Sequence, residues 1–310
     1  MKRMWIVMLA FGCSAGSDEG RPPPPPAPAR IHPVAPTPKP VDLALGAGLE
    51  VRRPLRDGRL SIVPIVATAP VSTDYLTLHD GVARRLVTVR ELAPEWAVDE
   101  LRIRNKSRQP LFVMSGELVE GGVQDRVLAE DRVIAPHQTV TVKVRCVEHE
   151  RSTGGKQFRA PGELVELALR RAVFHGSQEI VWAKVDEINQ ALHLAPRSKT
   201  YRLAAALQQV APAHDRRDQL AAQLAQLPDR DRIVGLAAAL DGEVIAIDRF
   251  ESPELYRQLE GELLGAYVAS DDGVPHEGRN FMPDDIRALA AMRNASRTTE
   301  ASFEALRPFP

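Results

Sequence analysis

Residues 232–250, RIVGLAAALDGEVIAIDRF, decide the fold class of this 310-residue chain. Two apolar runs flank Asp241-Gly242, and an Asp-Gly pair between two such runs is a strong signal for a two-residue β-hairpin turn. The hairpin comes late in the chain, after a long region of helical pattern. Because an isolated hairpin is marginally stable in water, we expect this one to join an earlier sheet.

That sheet is predicted in residues 55–148, where polar and apolar residues alternate with the period of two that is typical of strands. The predicted strands are RLSIVPIV (59–66), RRLVTVREL (84–92), VDELRIRN (98–105), PLFVM (110–114) and QTVTVKVRCVE (138–148). The first contains a proline, which cannot donate a ladder hydrogen bond, so we expect an edge strand. Residues 75–84 are predicted to form a short helix.

The region between these strands and the hairpin has apolar residues three and four positions apart, the pattern of amphipathic helices. The predicted helices are 162–174, 177–194, 199–210 and 214–227. Another helix follows the hairpin, with Ser252 as its cap and Pro253 in its first position, and a short one is predicted at 284–293. The order predicts an α+β fold with a β-rich N-terminal sheet or sandwich, a middle helical segment, a late β-hairpin joining the sheet, and C-terminal helices.

The N-terminus, MKRMWIVMLAFGC, predicts export. Lys2 and Arg3 precede an apolar run that is too short to span a bilayer, as in a signal peptide. Because the run ends at Gly-Cys, residues 1–13 resemble a bacterial lipoprotein signal, with Cys13 as the lipidated residue. An ordinary cleaved signal and an unprocessed apolar start are the alternatives.

Residues 14–40 are predicted to be a proline-rich disordered linker, since half of residues 21–40 are proline. Such a segment is a semi-rigid polyproline II spacer, although a docking site for a proline-recognising module is the alternative. The linker would join a membrane anchor to a single α+β domain at 41–294, followed by a frayed tail at 295–310. We therefore predict a lipid-anchored protein of the bacterial cell envelope that faces the periplasm or the exterior.

Composition and motifs exclude several function classes. The net charge of −1 and the pI near 6.7 give no basic field for nucleic acid. The histidines form neither H-x-H nor H-E-x-x-H, so we expect no metal and no cofactor; a hard cation held by Glu117, Glu120 and Glu148 is the alternative. Lipidation of Cys13 would leave Cys146 without a disulfide partner, and its strand pattern predicts a small buried hydrophobe.

Two polar segments are the candidate site: GELVEGGVQDR (116–126) and CVEHER (146–151). Strand alternation places Glu148 on the apolar face of its strand, which is unusual for a carboxylate unless it is paired or the strand opens into a site. In the following loop, Arg151, Lys156 and Arg159 could meet an anion, although a merely flexible surface loop is the favoured alternative.

Together the two segments resemble a bacterial and archaeal domain family named for its association with ADP-ribosylglycohydrolases and rhodanese-phosphatases. The resemblance covers roughly residues 55–270, a length that is typical of one domain. The family pattern G-E-x-x-x-G-x-x-Q-[ND]-R is matched by Gly116, Glu117, Gly121, Gln124, Asp125 and Arg126, and C-V-E-x-x-R by Cys146, Val147, Glu148 and Arg151. Ser152 departs from the tryptophan that is common there. The family has no assigned reaction, and its associations imply ADP-ribose, NAD-derived or other nucleotide ligands.

Three functions are compatible with these residues. The leading prediction is a binding domain in which residues 116–126 and 145–151 form one polar cleft for an anionic small molecule or a partner. Gln124, Asp125, Arg126 and Arg151 would bind the ligand, while Gly116, Gly121 and Cys146 would be structural. The first alternative is a hydrolase of nucleotide, ADP-ribose-like or glycosidic substrates with Glu117 and Glu148 as acid and base. The second is a structural surface lipoprotein.

Overall fold

The computed structural model describes residues 48–92, 99–149, 155, 157–194, 199–209 and 212–272. The predicted signal peptide, linker, last helix and tail lie outside these residues, as do Cys13 and Arg151. The described part of the chain combines helices with mainly antiparallel sheets, which confirms the predicted α+β class.

Strands and helices follow the order that the sequence predicts. The strands are β1 (Leu49–Val51), β2 (Leu55–Asp57), β3 (Leu60–Ala67), β4 (Leu76–Thr77), β5 (Val87–Glu91), β6 (Glu100–Asn105), β7 (Leu111–Val113), β8 (Leu118–Gly121), β9 (Arg126–Leu128), β10 (Arg132–Ile134), β11 (Thr139–Cys146), β12 (Phe158–Arg159), β13 (Ile233–Leu240) and β14 (Glu243–Arg249). The helices are α1 (Leu78–Ala83), α2 (Leu167–His175), α3 (Gln178–Ala191), α4 (Arg202–Gln208), α5 (Ala213–Ala225) and α6 (Pro253–Asp272).

The late hairpin joins an early sheet, as predicted. β13 pairs antiparallel with β14 on one side and with β3 on the other, in the order β1-β3-β13-β14. Asp241 and Gly242 have φ values of 50° and 87°. Two consecutive residues with positive φ are what a type I′ hairpin turn requires.

The prediction that the first strand lies at an edge is wrong, because β3 lies between β13 on one side and both β1 and β2 on the other. The backbone N–H of Arg52 donates to the carbonyl oxygen of Pro64 at 2.9 Å. In an antiparallel ladder the nitrogen and carbonyl of one residue face the same neighbour. The proline nitrogen therefore faces the break between β1 and β2, where the ladder is interrupted.

A six-stranded sheet in the order β12-β8-β9-β11-β6-β5 contains three of the remaining predicted strands as β5, β6 and β11, whereas the fourth, PLFVM, forms β7 of a small sheet. A bridge between Arg90 of β5 and Gln157, which precedes β12, brings the two edges together and closes the sheet into a barrel. Its apolar core includes Val89, Ile103, Val119, Leu128 and Val144, and the small sheet β10-β7-β4 adds Leu76, Leu111, Val113 and Ile134.

Helices cover both sheets. Helices α2, α3 and α4 pack on the outer face of β8, β9 and the end of β11 around Leu118, Val127 and Val147. Helices α5 and α6 share a core with the β3-β13-β14 sheet. Ser252 caps α6, since its Oγ accepts a hydrogen bond from the N–H of Leu255 at 3.2 Å. In the described residues, no helix has the length and apolar character needed for a membrane span.

Candidate functional site

Strands β8 and β9 form a hairpin whose bend contains Gly121 and Gly122. Their φ values of 126° and 54° lie where glycine is favoured. A Cβ at residue 121 would lie 2.5 Å from the carbonyl oxygen of Gln157, so there is no space for a side chain. The segment GELVEGGVQDR therefore runs along one strand, turns at the two glycines and ends on the next strand.

Past this bend, Asp125 and Glu148 share a buried set of hydrogen bonds that we call the turn network. The N–H of Asp125 donates to Oε2 of Glu148 at 2.9 Å, and Oδ1 of Asp125 accepts from the N–H of Gly121 at 2.8 Å. Arg202 donates to both carboxylate oxygens of Asp125, at 2.8 and 3.0 Å. Thr200 Oγ1 donates to Oε1 of Glu148 at 3.3 Å. Two of the three predicted site carboxylates, Asp125 and Glu148, are thus engaged in joining the ends of β9 and β11 to α4.

Arg126 is fully buried and is directed at the turn itself. Its Nη1 donates to the carbonyl oxygen of Gln124 at 2.7 Å, and its Nη2 lies 3.7 Å from Oε1 of Glu91. The same Glu91 oxygen accepts from the N–H of Val123 at 3.0 Å. Cys146 is the cross-strand partner of Arg126. Burial raises the pKa of its thiol, which disfavours the reactive thiolate.

Glu117 has other partners. Its carbonyl oxygen accepts from the N–H of Leu128, three residues along β9 from Asp125, which corresponds to about 10 Å along a strand. Its carboxyl Oε2 accepts from the N–H of Met114 at 2.7 Å. The structure therefore brings Gln124, Asp125, Arg126 and Glu148 together, and it leaves Glu117 outside the turn network.

The Glu117 side chain, 4% exposed, belongs instead to a group of acids that we call the carboxyl cluster: Asp80, Glu117, Asp131, Glu163 and Glu262. Burial raises the pKa of Glu117 well above its ordinary value, and the nearby charge of Glu262 acts in the same direction. The Met114 N–H and the Arg170 guanidinium oppose this rise in the pKa. The raised pKa favours the neutral form of the Glu117 carboxyl.

Glu262 and Glu163 have pKa values closer to neutrality. Burial raises the pKa of Glu262 to about 8, with contributions from the charges of Asp80 and Glu163. Burial raises the pKa of Glu163 to about 7; Glu120 adds to this rise, and Arg159 opposes it. The buried Oε2 of Glu262 has no hydrogen-bond partner among the described residues. A buried carboxyl oxygen without a partner is uncommon in folded proteins.

The cluster reaches the surface at Glu163, which is partly exposed. Next to it, Arg159 is 74% exposed and pairs with Oε2 of Glu120 at 2.5 Å. Gly162, with a φ of 79°, lies against His79, whose Nδ1 is 2.9 Å from the carbonyl oxygen of Ala160. These contacts hold the segment 159–163 beside the carboxyl cluster, with the exposed Arg159 side chain acting electrostatically on Glu163.

No group of three or more His, Cys, Asp or Glu side chains in the described part of the chain is arranged to hold a metal ion. What the cluster offers is proton chemistry. A carboxyl kept neutral by burial donates a hydrogen bond through its O–H, and one with a pKa near neutrality can also give up or take a proton.

Sequence reasoning missed Glu262, although a signal was present. Glu262 is three residues after Leu259 and four before Ala266, both of which are fully buried, so it occupies a position on the apolar face of α6. Arg170 likewise lies three residues from both Leu167 and Val173, two buried residues of α2. A charged residue in an apolar-face position is the pattern that would have identified both.

Residues 48–305 of the chain match the family model of the ARG and Rhodanese-Phosphatase-superfamily-associated Protein domain, ARPP-1. The match includes both polar segments and all members of the carboxyl cluster. No curated protein and no solved structure matches the chain.

Proposed function

The chain belongs to the ARG and Rhodanese-Phosphatase-superfamily-associated Protein domain family, and we propose that its carboxyl cluster binds a small ligand carrying an anionic group and hydroxyl groups. The observation that carries this proposal is the buried Oε2 of Glu262, which has no hydrogen-bond partner among the described residues and whose carboxyl acts on Glu117, together with the exposed Arg159 that acts on Glu163. An ADP-ribose-like molecule, a nucleotide or a sugar phosphate has this combination of groups.

An anionic ligand is compatible with a group of acids only if those acids are neutral. Burial supplies this condition for two of them, because it raises the pKa values of Glu163 and Glu262 to about 7 and about 8. Protonated carboxyls donate hydrogen bonds to phosphate and hydroxyl oxygens, whereas ionised carboxylates would repel the phosphate.

Arg159 supplies the charge that the ligand needs. A guanidinium binds phosphate through two parallel hydrogen bonds, and this one is paired with Glu120 at the surface, from which a phosphate could take it over. Arg126 is less suited to this role, since it is buried against the turn. The part predicted for Arg151 stays a prediction.

The test is a thermal-shift and calorimetric panel of ADP-ribose, nucleotides and sugar phosphates. We expect members of the panel to raise the melting temperature below neutral pH. Because Glu262 must carry its proton, affinity should fall about tenfold or more between about pH 7 and pH 9. If no compound raises the melting temperature at any of these pH values, the binding proposal is refuted and the alternative of a structural surface lipoprotein is favoured.

Two variants sharpen this test. Glu262→Gln keeps a neutral hydrogen-bond donor, so it should retain binding and show a weaker dependence of affinity on pH. Glu254→Gln, on the same helix but partly exposed, is the matched control and should keep the pH dependence of the parent protein. Equal pH profiles in all three proteins would contradict the role of Glu262.

Hydrolysis of the bound ligand is the second candidate, favoured by two buried acids, Glu117 and Glu262, of which the charge of Glu262 raises the pKa of Glu117. Such a pair can divide the roles of general acid and general base. The cluster supports Glu262 in place of Glu148 as the partner of Glu117. Product formation from nucleotide and glycosidic substrates should be lost in Glu117→Gln and retained in Glu148→Gln; the opposite order would return the acid-base role to Glu148.

For the location of the protein, we retain lipid anchoring through Cys13 in the bacterial cell envelope as a proposal. Its support is the sequence of residues 1–13 and the proline-rich spacer that follows. Fractionation of cells expressing the parent protein and Cys13→Ser tests it. The parent is expected with the membranes and the variant apart from them, and a variant that stays with the membranes would refute the anchor.

A further inference from the structure

Arg170 of α2 makes a fully buried ion pair with Asp248 of β14. Its Nη1 and Nη2 donate to the two carboxylate oxygens at 3.0 and 2.8 Å. The hydroxyl of Tyr267, on α6, donates to Oδ2 of Asp248 at 2.6 Å. The three side chains thereby connect α2, α6 and the β3-β13-β14 sheet.

The same arginine reaches the segment that leads into Glu117. Its Nε donates to the carbonyl oxygen of Ser115 at 2.9 Å. Gly116 has a φ of 96°, and a Cβ at this position would lie 2.8 Å from Cγ of Arg170. On the other side, the N–H of Ser115 donates to Oδ1 of Asp131 at 2.6 Å. The backbone just before Glu117 is thus held between Arg170 and Asp131.

Stability alone gives little reason for such a network. Removing two charges from water is costly, and well-packed apolar residues of similar volume often serve the fold as well as a buried ion pair does. What apolar side chains could not provide is a hydrogen bond to Ser115 and a positive charge beside a buried carboxyl.

We propose that Arg170, held by Asp248 and Tyr267, is a positioning residue for the Glu117 carboxyl: it fixes the preceding backbone and supplies a positive charge that faces the carboxyl group. The charged groups facing Glu117 come from three elements, namely Glu262 from α6, Asp131 after β9 and Arg170 from α2. The inference rests on the proposed function, since Glu117 is a member of the carboxyl cluster.

The decisive measurement is the pKa of Glu117, read from carboxyl ¹³C resonances in glutamate-labelled protein and assigned with Glu117→Gln. Breaking the ion pair on one side would leave a buried charge and could unfold the protein. The test variant therefore replaces the whole network, as Arg170→Met, Asp248→Leu and Tyr267→Phe. With the arginine charge removed, the pKa of Glu117 should rise by about one unit or more.

A second network of an arginine, a carboxylate and a tyrosine provides the control. Arg230 donates to Glu260 at 2.9 Å, the hydroxyl of Tyr256 donates to Glu260 at 2.6 Å, and none of the three is among the groups that face Glu117. The corresponding variant is Arg230→Met, Glu260→Leu and Tyr256→Phe. It loses an equal number of polar groups and should leave the pKa of Glu117 unchanged.

An unchanged pKa of Glu117 in the folded test variant would overturn the inference and make the Arg170 network purely structural. If the test variant does not fold, the pKa of Glu117 is measured instead in the double variant Arg170→Gln and Asp248→Asn. An unchanged pKa in that variant would likewise overturn the inference. The titration uses no ligand. A failure of the ligand panel would therefore overturn the proposed function and leave the positioning role to be decided by this measurement.

Discussion

Glu166, at the N-terminal end of α2, is a buried acid outside both the turn network and the carboxyl cluster. It is 4% exposed, and its buried Oε1 has no hydrogen-bond partner within the described residues. Burial raises its pKa to about 8, with Lys184 of α3 opposing the rise and Glu187 of α3 adding to it. The Tyr201 hydroxyl lies 3.5 Å from its backbone nitrogen. A glutamine here has nearly the same shape and does not ionise.

The size of the effect follows from the difference between the folded and unfolded pKa values. The unfolded carboxyl has a pKa of 4.5, so the difference is about 3.5 units, or on the order of 5 kcal/mol. Since the folded pKa is the higher one, the stabilisation is complete below pH 4.5 and is lost as the pH rises towards 8. Over that window Glu166 alone should lower the free energy of unfolding by about 1.4 kcal/mol per pH unit.

Urea unfolding followed by tryptophan fluorescence, at several values from about pH 5.5 to 7.5, measures this slope. The free energy of unfolding of Glu166→Gln should depend less on pH than that of the parent, by about 1.4 kcal/mol per unit. Glu179→Gln is the control, because Glu179 is exposed and its pKa is lowered, so it titrates below this range. Equal slopes in all three proteins would refute the conclusion that burial keeps Glu166 protonated.

Four other substitutions, one of them a control, test the local structure through the same urea unfolding. Gly116→Ala should lower the free energy of unfolding by about 2 to 4 kcal/mol, because the positive φ and the contact with Arg170 both oppose a Cβ. At Gly58→Ala, where φ is positive and the space is open, the cost should be about 1 kcal/mol, and equal costs would contradict the contact argument. Ser252→Ala removes the cap of α6 and should cost about 1 kcal/mol; no loss would show that the cap is dispensable. Phe250→Ala removes a buried ring from the core and should cost about 3 to 5 kcal/mol, whereas a cost below 1 kcal/mol would mean that the site collapses around the cavity.

Periodicity identified the elements of the fold because each of them buries one face. The alternation in β5, β6 and β11 and the spacing of apolar residues in α2 and α3 arise from that burial. The partners of a strand are a different matter. The proline in β3 predicted an edge strand, yet β3 is internal. Pro64 has no N–H to donate, and its nitrogen faces the break between β1 and β2, where no hydrogen-bond partner is needed.

The candidate site was harder to predict, because nearness in sequence is a poor guide along strands. Glu117 and Asp125 belong to one short motif, and the hairpin carries them to opposite ends of β8 and β9. Glu262, the neighbour of Glu117, comes from a helix that is far away in the sequence. Only the folded chain brings these acids together. The sequence did identify Glu148 as a carboxylate that needs a partner, and the N–H of Asp125 fills that role.

The pairing of β3 with β13 has a consequence for synthesis of the chain. Leu60 and Leu240 are partners in this ladder, so a ribosome makes nearly the whole domain between them. During that interval β3, an eight-residue strand whose only polar residue is Ser61, can pair on the β1/β2 side only. Short apolar runs with free edges are prone to intermolecular β-stacking. Because the Pro64 nitrogen faces β1 and β2, it removes no donor from the edge that awaits β13, and the nascent chain keeps this edge open until the hairpin completes the sheet.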